Sequence, residues 1–305
     1  MPENTRRSGC VTVSQPAWHN PARQLADALA AADRADETAL LLVELREHVL
    51  PRLSDGPLVV VLGGSTGVGT STLLNSLVQN RVSGAGVLRP TTRVPVLVHH
   101  PEHDPASVAD ALPEGVELVS DSAVPTGLVL IDAPDLDSVA ATNREMARRL
   151  LDVADLWLMV TSPARYADAV PWTHLRRAVA RRTPVAVVLN RVPAADHSAV
   201  STDLAHLLAA EGLGDSPLLV VPELAGAAGL LPADAVAEVR EMLGALAQDE
   251  TARTVVRRTS AAGAAADVAT RAAALARDWS AGDSTAARVV RDAAVALQHG
   301  VGEAS

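Results

Sequence analysis

Short, continuously apolar runs alternate along most of this chain with segments whose apolar residues recur at helical spacing. Leu58-Val59-Val60-Val61-Leu62 is the first run, rich in β-branched side chains and bounded by turn residues. A strand buried on both faces reads this way, because neither face needs polar residues. Similar runs follow at Val94 to Val98, Leu128 to Ile131, Leu156 to Val160, Val185 to Leu189 and Leu218 to Val221. Between most of them the spacing predicts helices: Ser71 to Gln79, Thr142 to Leu151, Trp172 to Arg181, Ser201 to Ala210 and Asp234 to Ala247. Alternating strands and helices predict an α/β fold with a mostly parallel sheet flanked by helices, over residues 57 to 248.

The two ends of the chain follow a different pattern. Residues 1 to 20 have no period and read as a disordered tail. From Pro21 to Leu53, Leu25, Leu29, Leu42, Leu45 and Val49 fall at helical spacing, which predicts two helices broken near Asp33 to Asp36. Pro51 and the cluster Ser54-Asp55-Gly56-Pro57 end that element. Residues 251 to 298 read as an Ala-rich helix interrupted near Gly282, with Val268, Ala272, Leu275 and Trp279 on one face. Asp267 with Arg271, and Arg288 with Asp292, stand four apart and suit surface ion pairs. An Ala face buries little area per residue, so this helix needs a partner. The N-terminal helices are the natural one, and the two ends together predict a helical bundle beside the α/β domain.

Composition narrows the function. The chain has 305 residues and a net charge of −10, and all 26 basic residues are Arg. That balance disfavours wrapping nucleic acid, which takes a surfeit of cations. Cys10, the one cysteine, allows no internal disulfide and suits a reducing, cytoplasmic setting. The sequence has no signal-peptide pattern and no apolar stretch long enough to span a bilayer.

The candidate chemistry begins where the first strand runs into Gly63-Gly64-Ser65-Thr66-Gly67-Val68-Gly69-Thr70-Ser71, and then into a helix opening with Thr72. Strand, Gly-rich turn and helix start form the context of a phosphate-binding loop. Glycines let the backbone curl so that successive N–H groups face inward, and the helix start adds free N–H groups and a positive dipole end. Ser71 falls where a hydroxyl would ligate Mg²⁺. The pattern GxxxxGK[ST] asks for Lys where this chain has Thr70, so the point charge on the β- and γ-phosphates is missing. The plainer reading of this stretch is a strand–helix turn without a ligand.

Further along, Gly84 to Val98, with Arg89-Pro90-Thr91-Thr92-Arg93-Val94-Pro95 at its centre, resembles the switch I region of bacterial dynamin-like GTPases. The resemblance implies that Thr92, or failing that Thr91, contacts Mg²⁺ and the γ-phosphate. Ile131-Asp132-Ala133-Pro134-Asp135 is similar to that family's Asp-x-Pro-Gly switch II motif. Asp132 would then hold Mg²⁺ through water, with Thr92 and Asp132 as the catalytic pair. Asp135 replaces the family's Gly and brings a carboxylate near a polyanion. Leu189-Asn190-Arg191-Val192-Pro193 resembles the base-reading Asn/Thr-Lys-x-Asp loop. Asn190 matches, Arg191 takes the Lys place and suits stacking on a purine, and Pro193 stands where an Asp would bind guanine. Val221-Pro222-Glu223 matches a last base-side loop by position only. The family also packs helices from both chain ends into a bundle. The longer stalk and membrane element of many relatives have no counterpart up to Ser305.

What the resemblance implies is a protein that binds GTP and Mg²⁺ and switches or assembles, with weak hydrolysis. It would pair with itself or with a related GTPase through the nucleotide face, and reach a membrane only peripherally through a partner. The losses at Thr70, Asp135 and Pro193 favour a rival reading, a pseudo-GTPase serving an intact relative. A P-loop ATPase is a third reading. One lost charge-assisted contact is worth about 1.5–3 kcal/mol, and Arg81, Arg89 or Arg93 are the candidates to supply the missing charge. Two other clusters have plainer readings. His99-His100-Pro101-Glu102-His103 has the residue types of a metal site, but its spacing fits no helical pair or finger. Arg165-Tyr166-Ala167-Asp168 with Trp172 reads as a structural loop, or else as a partner contact.

Overall fold

The computed structural model describes residues 15–32, 35–84, 94–109, 111–224, 229–279 and 284–303. Two helices, α1 (His19–Ala31) and α2 (Ala35–Val43), open the described chain; α2 continues into a π-helical turn, Glu44–Val49, and a 3-10 turn, Leu50–Leu53. The α/β layer then runs β1 (Leu58–Gly64), α3 (Thr70–Val78), β2 (Val96–His99), α4 (Ala106–Ala109), β3 (Glu117–Ser120), β4 (Leu128–Asp132), α5 (Ala141–Val153) and β5 (Leu156–Thr161). It continues with α6 (Ala169–Ala180), β6 (Val185–Val192), α7 (His197–Ala210), β7 (Leu218–Pro222) and α8 (Ala237–Gln248), and two long helices, α9 (Glu250–Trp279) and α10 (Ser284–Glu303), close the chain.

The seven strands lie in the order β3-β2-β4-β1-β5-β6-β7, parallel except where β2 meets β4. The alternation of side chains along β1 divides the core between the two faces. Leu58, Val60 and Leu62 pack with Leu73, Leu74 and Leu77 of α3 and with Val239 and Leu243 of α8. Val59 and Val61 point the other way, toward Leu150 of α5. On that second face Trp157 and Met159 meet Trp172 and Leu175 of α6 and Leu204 and Leu208 of α7. The chain ends form the bundle, in which Leu25, Leu29, Leu45 and Val49 pack on Ala265, Val268, Ala272 and Trp279 of α9 and on Val290 and Leu297 of α10.

Several expectations are corrected here. The second strand begins at Val96 rather than Val94, and it runs antiparallel to β4. β3 carries exposed Glu117, Leu118 and Ser120 at the sheet edge, so it lacks the apolar run that marks a central strand. The Ala-rich end is two helices, α9 ending at Trp279 and α10 beginning at Ser284, on either side of the interruption expected near Gly282, and the second extends past Gln298 to Glu303. The unpatterned tail is shorter than residues 1 to 20, because Trp18 is 1% exposed in the bundle core, against Gly300 of α10. The Asp267–Arg271 pair forms as expected, at 3.2 Å.

The bundle is joined to the α/β layer by charges taken out of water. The Asp155 carboxylate, at the start of β5, accepts from the Val59 N–H at 2.9 Å and lies 3.2 Å from Arg52 Nε and 3.8 Å from Arg257 Nε. Arg257 also donates to the Ser54 carbonyl at 2.6 Å. Burial pushes the Asp155 carboxyl up, against the pull of the two guanidinium groups. Beside this cluster Arg181 pairs with Glu44 at 3.0 Å and Asp152 at 3.4 Å, and Arg271 also pairs with Glu44. Gly263 of α9 lets the helix press on the Arg181 carbonyl, where a Cβ would stand 1.5 Å from the oxygen.

Removing one member of a buried pair leaves its partner charged and unpaired, which costs about 3–5 kcal/mol. Asp155→Ala is therefore expected to lower the unfolding free energy by about that much, read by urea denaturation. Acid should weaken the fold as well. Burial, and then Arg52 and Arg177 respectively, hold the His48 and His174 imidazoles below their usual range. The unfolded chain then takes up protons near pH 6.5 that the folded chain refuses, so stability falls as pH drops through that value. The melting temperature should decline from about pH 7.5 to about pH 5.5, and less steeply in a His48→Gln, His174→Gln variant.

Candidate functional site

Because β4, β1, β5 and β6 are neighbours and parallel, their C-terminal ends open on one edge of the sheet. The loops leaving them bring Asp132, the 64–71 turn, Arg165 and Asn190 together. That edge is where open α/β sheets form ligand crevices.

The turn itself is set by local backbone demands. Gly67 at φ +83° and Gly69 at φ +98° take the left-handed region that side chains disfavour. Gly64 lies so close to β5 that a Cβ would stand 2.1 Å from the Val160 carbonyl oxygen. Val68 anchors the turn by burying its side chain in the core shared by β1 and α3. No side chain caps α3, and the first N–H groups of any α-helix look outside the helix for their acceptors. The Ser65 hydroxyl is buried and has no hydrogen-bond partner among the described residues. This is the curled, donor-rich geometry of an anion nest.

Ser71 and Asp132 meet at the mouth of the turn, with Ser71 Oγ donating to Asp132 Oδ2 at 2.5 Å. Ser83 Oγ donates to the same oxygen, also at 2.5 Å. Sequence reasoning missed Ser83, because nothing local marks it. Asn75 of α3 positions it, accepting from the Val82 and Ser83 N–H groups at 2.9 and 2.8 Å and donating to the Ser83 carbonyl at 2.8 Å. Two hydroxyls and a carboxylate make a hard-oxygen donor set that fits Mg²⁺, which keeps several waters and takes few protein ligands.

Asn190 donates from Nδ2 to the Val68 carbonyl at 2.7 Å and accepts from the Arg191 N–H at 3.0 Å, tying the end of β6 to the turn. Arg191 has φ 59°, and its guanidinium lies beside Gly69, where a Cβ would stand 3.5 Å from Nη2. Thr70 is 2% exposed at the position where a lysine would reach over phosphates. Of the arginines considered as substitutes, Arg81 lies against Gly229, while Arg89 and Arg93 are outside the described residues. Thr91 and Thr92 are outside them too.

The segment after β4 is strapped along the turn: the Ala133 N–H donates to the Leu62 carbonyl and the Leu136 N–H to the Gly64 carbonyl, both at 3.0 Å. It brings to the turn a carboxylate that sequence reasoning did not single out, Asp137. Its Oδ1 accepts from the Thr66 N–H at 2.6 Å and from Thr66 Oγ1 at 2.7 Å. Arg165 lies 3.5 Å from the other Asp137 oxygen and 2.8 Å from Asp168. The Asp168 hydrogen bond holds the Arg165 guanidinium above its usual range.

The two remaining clusters make hydrogen bonds within the chain, some of them to distant segments. His103 Nε2 accepts from the Gly127 N–H at 2.7 Å, and His100 Nδ1 from the Glu102 N–H at 3.2 Å. Tyr166 donates to Asp203 and Trp172 Nε1 to the Tyr166 carbonyl, each at 2.8 Å. Away from this edge, at the start of β1, a cavity of about 170 Å³ lies among His48, Arg52, Asp155 and Arg257.

No family model matches this chain, and no curated protein matches it. Among solved structures it is similar to Era from Aquifex aeolicus bound to GDP·AlF4⁻, at 20% identity and TM-score 0.41, covering 61% of this chain and 55% of that one. It is also similar to an oligomerised bacterial dynamin pair, at 11% identity and TM-score 0.48, covering 86% of this chain and 56% of that one. A third is Toc33 from Arabidopsis thaliana in complex with Mg²⁺ and GMPPNP, at 14% identity and TM-score 0.42, covering 80% and 98%. This chain spans 55% of the Era chain and 56% of the dynamin chain.

Proposed function

We propose that this chain is a GTP-binding protein of the P-loop GTPase kind, dynamin-like in character, acting as a nucleotide-dependent switch or assembly factor with weak hydrolysis. The observation that carries the reading is the Ser71–Asp132 pair, 2.5 Å apart, at the mouth of a turn built on left-handed Gly67 and Gly69. A turn serving only to connect a strand to a helix has no need of a buried carboxylate facing the first turn of that helix.

In this reading Gly64 to Thr72 cradle the phosphates through backbone N–H groups, and Ser71 and Asp132 hold Mg²⁺. The metal, when bound, would neutralise charge on the phosphate oxygens. Thr92 is assigned by resemblance to the same metal and to catalysis with Asp132. Asn190 keeps the turn in shape, and Arg191 offers its planar guanidinium to the face of the base. Without a carboxylate at Pro193, guanine recognition is weakened. Val139, an apolar side chain 98% exposed in the segment after Asp137, supports pairing through the nucleotide face with a second copy or a related GTPase. Among the described residues no helix is long and apolar enough to cross a membrane, and we propose a cytoplasmic protein that meets membranes peripherally through its partner.

The second reading, a pseudo-GTPase, is favoured by Thr70, where a buried hydroxyl replaces the cation. Titration of labelled GTP, GDP and ATP, with and without Mg²⁺, alongside phosphate release, separates the readings. Mg²⁺-dependent GTP binding with slow release supports the first. Failure to bind any nucleotide supports the second, and a preference for ATP would point to a P-loop ATPase. Thr70→Lys is expected to tighten GTP binding by about tenfold to a hundredfold, the equivalent of one charge-assisted contact. A paired Ser71→Ala, Asp132→Asn variant should lose the Mg²⁺ dependence of binding while keeping its melting temperature within a few degrees. Hydrolysis by the unaltered protein at the rate of a GTPase with all its motifs intact would overturn the expectation of an impaired site.

A further inference from the structure

We infer that Asp137 is an internal occupant of the phosphate loop, and that an incoming nucleotide phosphate must displace its carboxylate from Thr66. The displacement step rests on the reading of the 64–71 turn as a phosphate site; the contact itself does not.

A carboxylate and a phosphate oxygen want the same partners, backbone N–H groups and hydroxyls turned toward an anion. Thr66 gives both of its donors to one oxygen of Asp137, at 2.6 and 2.7 Å. Both contacts are as short as hydrogen bonds to an ionised acceptor are. The reach is not accidental to one rotamer. Leu136, the preceding residue, is 1% exposed and bonded through its N–H to the Gly64 carbonyl, which fixes the backbone of the strap beside the turn. Arg165 stands behind the carboxylate as countercharge, itself steered by Asp168. One surface loop therefore supplies the acid, a second supplies the cation that holds it, and the phosphate loop supplies the donors.

The consequence is competition. While Asp137 is seated, the turn has lost a donor pair and gained a negative charge where a polyanion would sit. Nucleotide binding is then weakened by the fraction of molecules in which the carboxylate has swung away. Rotation about the Asp137 side-chain bonds suffices to clear the donors, so the strap need not unfold. Its release also frees Arg165 from its longer contact, leaving it paired with Asp168. Asp137 thus blocks the Thr66 donors while the site is empty.

The test uses the full chain and two readouts. The first needs no nucleotide: the Thr66 amide resonance and its hydrogen exchange, in the unaltered protein and in Asp137→Ala. A hydrogen-bonded amide that moves upfield and exchanges faster in the variant supports the occupancy; an amide unchanged by the substitution overturns it. The second is the affinity for GTP and GDP. Asp137→Ala is expected to bind both about tenfold more tightly, and Asp137→Asn, which keeps an acceptor but no charge, to fall between. Equal affinities in all three proteins would overturn the competition. If none binds either nucleotide although the Thr66 amide responds, the phosphate-site reading and the displacement step both fail, and the occupancy of the turn by Asp137 stands.

Discussion

The sharp reversal from β1 into α3 is the constraint on which the surrounding site depends, because it turns backbone donors such as the Thr66 N–H toward partners outside the turn. A strand in the middle of a parallel sheet must turn sharply to begin a helix that packs back on it, and it can do so here because Gly67 and Gly69 accept left-handed backbone. The same curl that makes the turn short makes it rich in donors. Asn190 braces it through the Val68 carbonyl from one side. Asp137 meets it through Thr66 from the other. In the proposed reading the occupant of this edge is an anionic acceptor, which the helix dipole favours.

The chemistry that remains at the site and the chemistry that is missing point at different parts of one reaction. Ser71, Ser83 and Asp132 converge as hard-oxygen ligands, which suits a divalent cation. Thr70 and Pro193 withhold the phosphate cation and the base carboxylate. In the proposed reading, metal ligands beside weakened nucleotide contacts suit a protein whose nucleotide state depends on something outside its own loop, such as a neighbouring subunit. Loss of one cation is worth about 1.5–3 kcal/mol, small enough for a new contact of the same kind to recover.

At the other end of β1 the structure is tied down. Asp155, Arg52 and Arg257 form a buried charge cluster at the root of the sheet, and Gly263 brings α9 onto the Arg181 carbonyl. Buried ion pairs are poor sources of net stability but demanding ones for geometry, since a shifted partner leaves a bare charge. The bundle is in this way registered to the strand that carries the phosphate loop. The ion pairs of Glu44 with Arg181 and Arg271 extend the same registration across three segments distant in sequence.

The amino-acid sequence alone determined the parts whose signal is local. The central strands are readable because burial on both faces requires unbroken apolar runs. The 64–71 turn is readable because only glycines can make it, and Asp132 and Asn190 because each ends such a run. β3 was not readable, since an edge strand exposes polar side chains and loses its apolar signature, whereas Gly282 marked the break between α9 and α10. Tertiary structure alone decided that β2 runs against β4, that Trp18 belongs to the bundle core, that Asn75 turns Ser83 toward Asp132, and that Asp137 reaches Thr66. Each of these depends on which surfaces meet across the sheet edge or the bundle, and a residue carries no mark of a neighbour that lies far along the chain until folding brings the two into contact.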